Sequence, residues 1–183
     1  MNAYIAEFIG TTLLVLFGNG VVANVVLART KGNNAGWIVI TAGWGLAVFI
    51  GAFCSAAYSG AHLNPAVTVA MAMAGKLPLA MVAGYLGAQM LGGIIGGALV
   101  YFFYREHFKA SQDADAKLGC FCTSPNIRNL PQAFFCETVG TFCLILPIFL
   151  MTDAKFSMPG STLNEPVVVG LGTLGLVTHG AAT

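Results

Sequence analysis

The chain contains 183 residues, of which 57% are hydrophobic and only 8% are charged. Because soluble domains carry about 25% charged residues, this composition excludes an ordinary soluble domain and predicts an integral membrane protein. The net charge of +1 offers no basic surface to nucleic acid, so no nucleic-acid partner is expected.

Five apolar runs predict an all-α membrane protein. A span needs about 20 apolar residues, which the first four runs supply and the fifth barely reaches. The first run lacks a basic segment before it and contains Glu7 early, so we interpret it as a span and not as a cleaved signal peptide. The predicted spans cover about residues 4–28, 37–58, 79–104, 130–152 and 166–183.

A short helix is predicted between the second and third spans. Asn64 is a favoured N-cap residue, Pro65 suits the first helical position, and apolar residues follow to about residue 76. Roughly a dozen residues rise only about 18 Å, against a hydrocarbon core of about 30 Å. Such a half-helix leaves free N–H groups inside the bilayer, which is tolerated only where the backbone lines a water-filled path. The stretch 59–68 is therefore predicted to be a pore element.

Parts of the first and fourth spans resemble each other. Glu7-Phe-Ile-Gly-Thr11 matches Glu137-Thr-Val-Gly-Thr141, and the same spacing of 130 residues pairs Gly45-Leu46 with Gly175-Leu176. An internal duplication of three spans would place the second copy inverted in the bilayer. The predicted units are a first repeat at about 1–104, the loop 105–129 and a partial second repeat at about 130–183, within one channel domain covering 1–183. At this spacing a second half-helix would begin past Thr183, so we expect the chain to be truncated before it.

The cysteines predict no metal site, and a redox role through Cys136 and Cys143 is the least favoured alternative. Cys120 and Cys122 share a polar loop, but two thiols with no histidine nearby make a poor metal site. The others lie in apolar runs, where cysteine usually serves as a small hydrophobic residue. No metal and no cofactor are expected. The five cysteines are Cys54, Cys120, Cys122, Cys136 and Cys143.

The stretch Gly60-Ala-His-Leu-Asn-Pro-Ala-Val-Thr68, following Trp44-Gly45-Leu46, resembles the first signature of the aquaporin and glycerol-facilitator family. Residues 6–11 and 124–137 resemble the family's opening span and the approach to its fourth span. The resemblance implies an aquaporin-like inverted-repeat helical bundle with six spans, two half-helices and one pore per protomer. About five spans and one half-helix are expected in this chain, without the second Asn-Pro-Ala signature.

The same resemblance implies a multi-pass homotetramer in the plasma membrane with a cytoplasmic N-terminus. The positive-inside rule predicts the opposite orientation, because most Lys and Arg residues lie in loops on the side away from the N-terminus. Many of them belong to the single loop 105–129, so we prefer the orientation that the resemblance implies.

The resemblance also implies roles for residues of the short helix and the loop before it. Asn64 matches the residue whose side-chain amide donates to passing hydroxyls, and Pro65 and Ala66 complete that signature. The preceding residues match a ladder of backbone carbonyl acceptors along the pore. These acceptors are expected at Gly60, Ala61, His62 and Leu63.

Three further residues match functional positions of the family. Trp44 matches the second-span residue of the narrowest ring, where glycerol facilitators carry Trp and water-selective members usually carry Phe. Glu7 and Glu137 match buried carboxylates that hydrogen-bond the backbones of the pore loops. Glu7 is also compatible with a proton relay or an interfacial anchor, although its repetition at Glu137 favours the bracing role. A proton-shuttling His62 is the less favoured alternative to a packed, hydrogen-bonded one.

Together these features predict a channel for passive diffusion of glycerol and other small uncharged polyols, together with water. Such passage requires no nucleophile, base or metal, so an enzyme is not expected. One alternative is a water-selective aquaporin. Another, if the chain truly ends at residue 183, is a non-conducting truncated remnant.

Overall fold

The structure is a computed structural model, and it describes residues 1–150. These residues form helices and no strand, which confirms the predicted all-α class for this part of the chain. The predicted span 166–183 lies outside the described residues. In chain order the helices are α1 (Ala3–Val26), α2 (Trp37–Ser59), α3 (Pro65–Met73), α4 (Leu79–Phe103), α5 (Arg105–Ala110), α6 (Ala114–Gly119) and α7 (Leu130–Leu150).

Helices α1, α2, α4 and α7 are each long and apolar enough to cross a membrane. Their first residues lie within one position of the predicted starts, so the first four predicted spans are confirmed. Each carries few charged residues over at least 21 residues, which suits a hydrocarbon core about 30 Å thick. The chain is therefore an integral membrane protein with several spans.

Helix α3 begins where the sequence predicts and ends earlier. Asn64 is its N-cap and Pro65 its first residue, but its last residue is Met73 and not a residue near 76. The chain leaves the helix at Gly75, whose φ of +71° lies in the left-handed region that glycine adopts most easily. The Lys76 N–H then donates to the Met71 carbonyl at 2.9 Å, which closes a Schellman-type cap. Gly75 was the stop signal that our prediction overlooked.

Helix α1 packs against α4 through glycines that bring the two backbones together. A Cβ atom at Gly92 would lie 2.6 Å from the Phe8 carbonyl oxygen, and one at Gly96 would lie 2.8 Å from the Thr12 carbonyl oxygen. Such small residues four apart allow close helix contact in lipid. Because the paired residue numbers rise together, α1 and α4 are parallel and end on the same side of the membrane, here called the distal side.

Helix α2 packs on α1 in the opposite direction. A Cβ atom at Gly51 would lie 2.8 Å from the Gly10 carbonyl oxygen, and one at Gly18 would lie 2.5 Å from the ring of Trp44. In this pair one residue number falls as the other rises, so α2 returns from the distal side. Its C-terminal end, from which the loop to α3 departs, therefore lies towards the starts of α1 and α4.

We expect Gly92→Ala to destabilise the protein and Gly93→Ala to leave its stability unchanged or higher. Overpacking typically costs about 1–3 kcal/mol, and the new methyl group at Gly92 would meet rigid backbone. At Gly93 a Cβ atom meets nothing within 4 Å, and alanine is the better helix former. Thermal unfolding of both variants in detergent measures the difference. Equal transition temperatures would contradict the packing described for α1 and α4.

The polar segment 105–129 contains α5 and α6, which the sequence did not predict. Phe108 and Cys120 from this segment are buried against Ala23, Leu27 and Val100 at the distal ends of α1 and α4. Burial raises the pKa of the Cys120 thiol to about 11, so this cysteine stays neutral and packs as an apolar side chain. The segment thus covers the distal ends of the bundle.

Candidate functional site: the pore loop between α2 and α3

The loop that joins α2 to α3 has an unusual backbone. Ala61 and Leu63 have φ values of +52° and +50°, and Gly60 before them has a φ of +80°. Left-handed backbone at residues other than glycine costs on the order of 1–3 kcal/mol each and persists only where surrounding contacts enforce it. The contacts that enforce it here come from α1 and α4.

Glu7 of α1 holds the loop from behind. Its side chain is 0% exposed, and each carboxylate oxygen accepts two hydrogen bonds. Oε1 accepts from Ser59 Oγ at 2.6 Å and from the His62 N–H at 2.9 Å. Oε2 accepts from the Leu63 N–H at 2.7 Å and from Gln89 Nε2 at 2.8 Å. A buried carboxylate without such donors would be costly, so the loop and Glu7 stabilise each other.

The loop carbonyls point away from this brace. The N–H groups of His62 and Leu63 point to Glu7, and that of Ala61 points to Ser59 Oγ at 3.1 Å. No described peptide bond is cis, and a trans peptide directs its N–H and C=O groups oppositely. The carbonyls of residues 60–62 therefore face the other side of the loop. Among residues 1–150, no donor reaches the carbonyl oxygens of residues 60–63.

Asn64 closes the loop and starts α3. Its side-chain Oδ1 accepts from the Ala66 N–H at 2.8 Å, which satisfies one of the free donors of the helix N-terminus. This bond fixes the orientation of the amide, so Nδ2 is directed away from the helix. Within the described part of the chain Nδ2 has no hydrogen-bond acceptor. The site therefore presents a fixed donor directly after a row of acceptors.

Further side chains from α3 and α4 hold Glu7 and the loop in position. Gln89 Nε2 also donates to Thr68 Oγ1 at 2.9 Å, and His62 Nδ1 lies 3.2 Å from that oxygen. The Tyr85 hydroxyl donates to the Ser59 carbonyl at 2.9 Å, and its ring centroid lies 4.9 Å from that of His62. The imidazole is thus packed and hydrogen-bonded beside the loop.

Sequence reasoning missed the supporting side chains of α3 and α4. Gln89 carries the one amide side chain in the sequence of α4, and a polar side chain in an apolar span usually binds a neighbouring segment. That signal was available for Gln89. Thr68 and Tyr85 gave no comparable signal, since either residue is common on the surface of a membrane helix.

The structure brings most of the predicted site residues together and leaves two apart. Glu7 and residues 60–66 form one cluster, as described above. Trp44 lies about 22 Å from Ser59 along α2, towards the distal side, with its ring against Gly18. Glu137 is exposed on α7, and any loop it would brace lies outside the described residues. Its bracing role stays a prediction.

The fold, the re-entrant half-helix and its braced loop define a membrane channel architecture. Comparison with known proteins agrees: residues 1–182 match the family model described as Major intrinsic protein, and the chain belongs to this family.

Relatives within the family are similar over most of the chain. It is 49% identical to a probable glycerol uptake facilitator protein of Thermotoga maritima over 93% of this chain and 71% of that protein. It is 47% identical to glycerol uptake facilitator protein 3 of Lactiplantibacillus plantarum over 91% of this chain and 68% of that protein. The X-ray structure of the aquaglyceroporin from Plasmodium falciparum superposes with a TM-score of 0.78 at 33% identity, covering 96% of this chain and 68% of that one.

Proposed function

We propose that this protein is a channel for the passive diffusion of glycerol and other small uncharged polyols, together with water. One observation carries the proposal. The donors of the pore loop are used by Glu7 and Ser59, while its carbonyls find no donor in the described residues. Backbone carbonyls are strong acceptors that need donors, and a passing hydroxyl would supply them.

Glycerol matches such a surface because it carries a hydroxyl on each carbon along one edge and only C–H groups along the other. The carbonyls of residues 60–63 accept from its hydroxyls, and Asn64 Nδ2 donates to them. Trp44 provides an apolar surface for the C–H edge. Each contact that the solute loses with water is replaced by a fixed one, which keeps the barrier low without deep binding.

The start of α3 gives the pore its preference for uncharged solutes. A helix N-terminus carries partial positive charge, which disfavours hydronium and other cations. In this proposal the carboxylate of Glu7 belongs to the wall, where its four hydrogen bonds are already used. It therefore braces the pore and does not relay protons.

The proposal extends to features that the described residues do not reach. Glu137 would brace the second pore loop as Glu7 braces the first, and four copies of the chain would assemble as a homotetramer in the plasma membrane. Two of the relatives named above are described as glycerol uptake facilitator proteins, and passive diffusion needs no catalytic residue, so we propose no enzymatic activity and no cofactor.

Trp44→Arg is expected to block glycerol. A long cationic side chain would replace an apolar surface at the narrow part of the pore, so both the free cross-section and the contact with the C–H edge would be lost. Glycerol flux should fall at least tenfold, which corresponds to about 1.4 kcal/mol of added barrier. The measurement is stopped-flow light scattering with proteoliposomes containing the full-length protein.

Trp37→Arg is the matched control, because Trp37 is 46% exposed at the first residue of α2. This control should keep its glycerol flux. Unchanged flux in Trp44→Arg would remove Trp44 from the pore. Rapid water flux without glycerol flux in the unmodified protein would show instead that the channel is water-selective.

A further inference from the structure

A groove of about 740 Å³ runs between α1 and α4 on the surface of the helices that the structure describes. Leu16 and Gly20 of α1 form one wall, Leu99 of α4 forms the other, and Val100 lies at its floor. A Cβ atom at Gly20 would meet nothing within 4 Å, so the groove is open at this residue. We name it the α1–α4 groove. The pore loop does not contribute to it.

The sequence of α4 explains why the groove exists only at the distal end. Gly92 and Gly96 bring α4 into backbone contact with α1 in the middle of the bundle. Beyond them, Val100 replaces glycine in this contact and packs against Ala23 and Leu27, while Leu99 and Phe103 line the groove beside it. The α1–α4 groove therefore begins near Leu16, beyond the glycine contact, and runs towards the distal end of the two helices.

The length of the groove matches one leaflet. From Leu16 to Asn24 the groove follows α1 for about 12 Å, close to half of a hydrocarbon core about 30 Å thick. A spanning helix of a second copy would run through both leaflets and would meet the closed glycine contact below Leu16. An acyl chain of a distal-leaflet lipid would end where the groove ends.

The groove becomes more polar towards its distal end. Its polar residues, Asn24 and Tyr104, lie at the distal end, where α1 and α4 leave the bilayer. Arg105 follows Tyr104 directly and is exposed, whereas nearby Lys109 is paired with Glu106 at 2.6 Å. Arg105 and Lys109 carry two positive charges against the single carboxylate of Glu106, so an excess positive charge remains at this end. An apolar groove that ends in polar groups and excess positive charge matches an anionic phospholipid.

We propose that the α1–α4 groove binds the acyl chain of an anionic glycerophospholipid from the distal leaflet, with the phosphate near Arg105. The proposal is independent of the solute that the pore conducts. Gly20→Leu tests it, because a Cβ atom at Gly20 meets nothing within 4 Å and the new side chain would occupy part of the groove. Gly93→Leu is the matched control, since Gly93 is also open but lies on α4 outside the groove.

The experiment is native mass spectrometry of the full-length protein, delipidated and then titrated with phosphatidylglycerol. Each methylene displaced from an apolar site costs about fourfold in affinity, so Gly20→Leu should weaken the tightest lipid adduct by about tenfold or more. Gly93→Leu should bind as the unmodified protein does. Arg105→Gln, a surface change, should reduce the preference for phosphatidylglycerol over phosphatidylethanolamine, while Arg128→Gln should preserve it.

Three results would overturn the proposal. Equal lipid binding by Gly20→Leu and the unmodified protein would show that lipid binds elsewhere. Equal losses of lipid affinity in Gly20→Leu and Gly93→Leu would show that any large side chain on the helix surface weakens lipid binding. A changed oligomeric state in Gly20→Leu with lipid binding intact would show that a second copy occupies the groove.

Discussion

Glycerol flux is expected to fall by at least about tenfold when Glu7 is replaced with Gln. The substitution preserves size but turns one acceptor oxygen into a donor, and all four groups around the carboxylate donate to it. A buried donor left without an acceptor costs about 1–3 kcal/mol. Rotation of the Gln89 amide would offer its Oε1 to the new NH₂ group but would leave the Leu63 N–H without its acceptor. The carbonyl row would then lose its fixed orientation.

Stopped-flow light scattering on proteoliposomes measures this loss, and Glu106→Gln provides the control. The same chemical change at Glu106 removes only an exposed ion pair with Lys109, so flux should be unchanged. A thermal unfolding scan separates misfolding from a displaced loop. Normal glycerol flux in a folded Glu7→Gln protein would show that the carboxylate does not set the geometry of the pore loop.

Asn64→Asp is expected to reduce glycerol flux by about tenfold while leaving α3 intact. Aspartate caps helices as well as asparagine does, so the acceptor for the Ala66 N–H is retained. The substitution removes the Nδ2 donor and places a carboxylate in the pore. One neutral hydrogen bond contributes about 0.5–1.5 kcal/mol, and a solute deprived of it must cross the narrow region with an unpaired hydroxyl.

Comparison with Asn64→Ala separates the two roles of this side chain. Alanine removes both the donor and the cap, so it should also lower the free energy of unfolding by about 0.5–2 kcal/mol. Asn126→Asp, in the exposed loop before α7, controls for added negative charge. If Asn64→Asp conducted glycerol normally, donation from the side chain would not be part of the passage.

The sequence predicted the spans well because hydrocarbon imposes a simple rule. Each of α1, α2, α4 and α7 is a predominantly apolar run long enough to cross the bilayer, and a helix of that length satisfies its own backbone groups in lipid. The start of α3 was equally clear, since Asn64 and Pro65 are strong N-terminal signals. The end of α3 was less clear, because Gly75, which stops the helix, lies in a stretch whose other residues favour a helix.

The site was predictable only in part. Asn64 and the carbonyls before it follow from a local motif, whereas the contacts of Glu7 join residues 52 to 82 positions apart. Such pairings depend on how α1, α2 and α4 pack, and periodicity does not reveal them. The bracing role of Glu7 entered the prediction through resemblance to a family, while Thr68, Tyr85 and Gln89 were given no role in it. Helices α5 and α6 are short and polar, so their signal was weak.

The distance along the chain between Glu7 and its partners has a consequence for biosynthesis. When synthesis of the first span is complete at Val26, Ser59 has not been made and Gln89 is a further 30 residues away. The nascent carboxylate therefore meets the translocon without any of its donors, and an ionised group in lipid is costly. It becomes satisfied only when α4 has been synthesised, so α1, α2, α3 and α4 are expected to partition into lipid as one unit and not one after another.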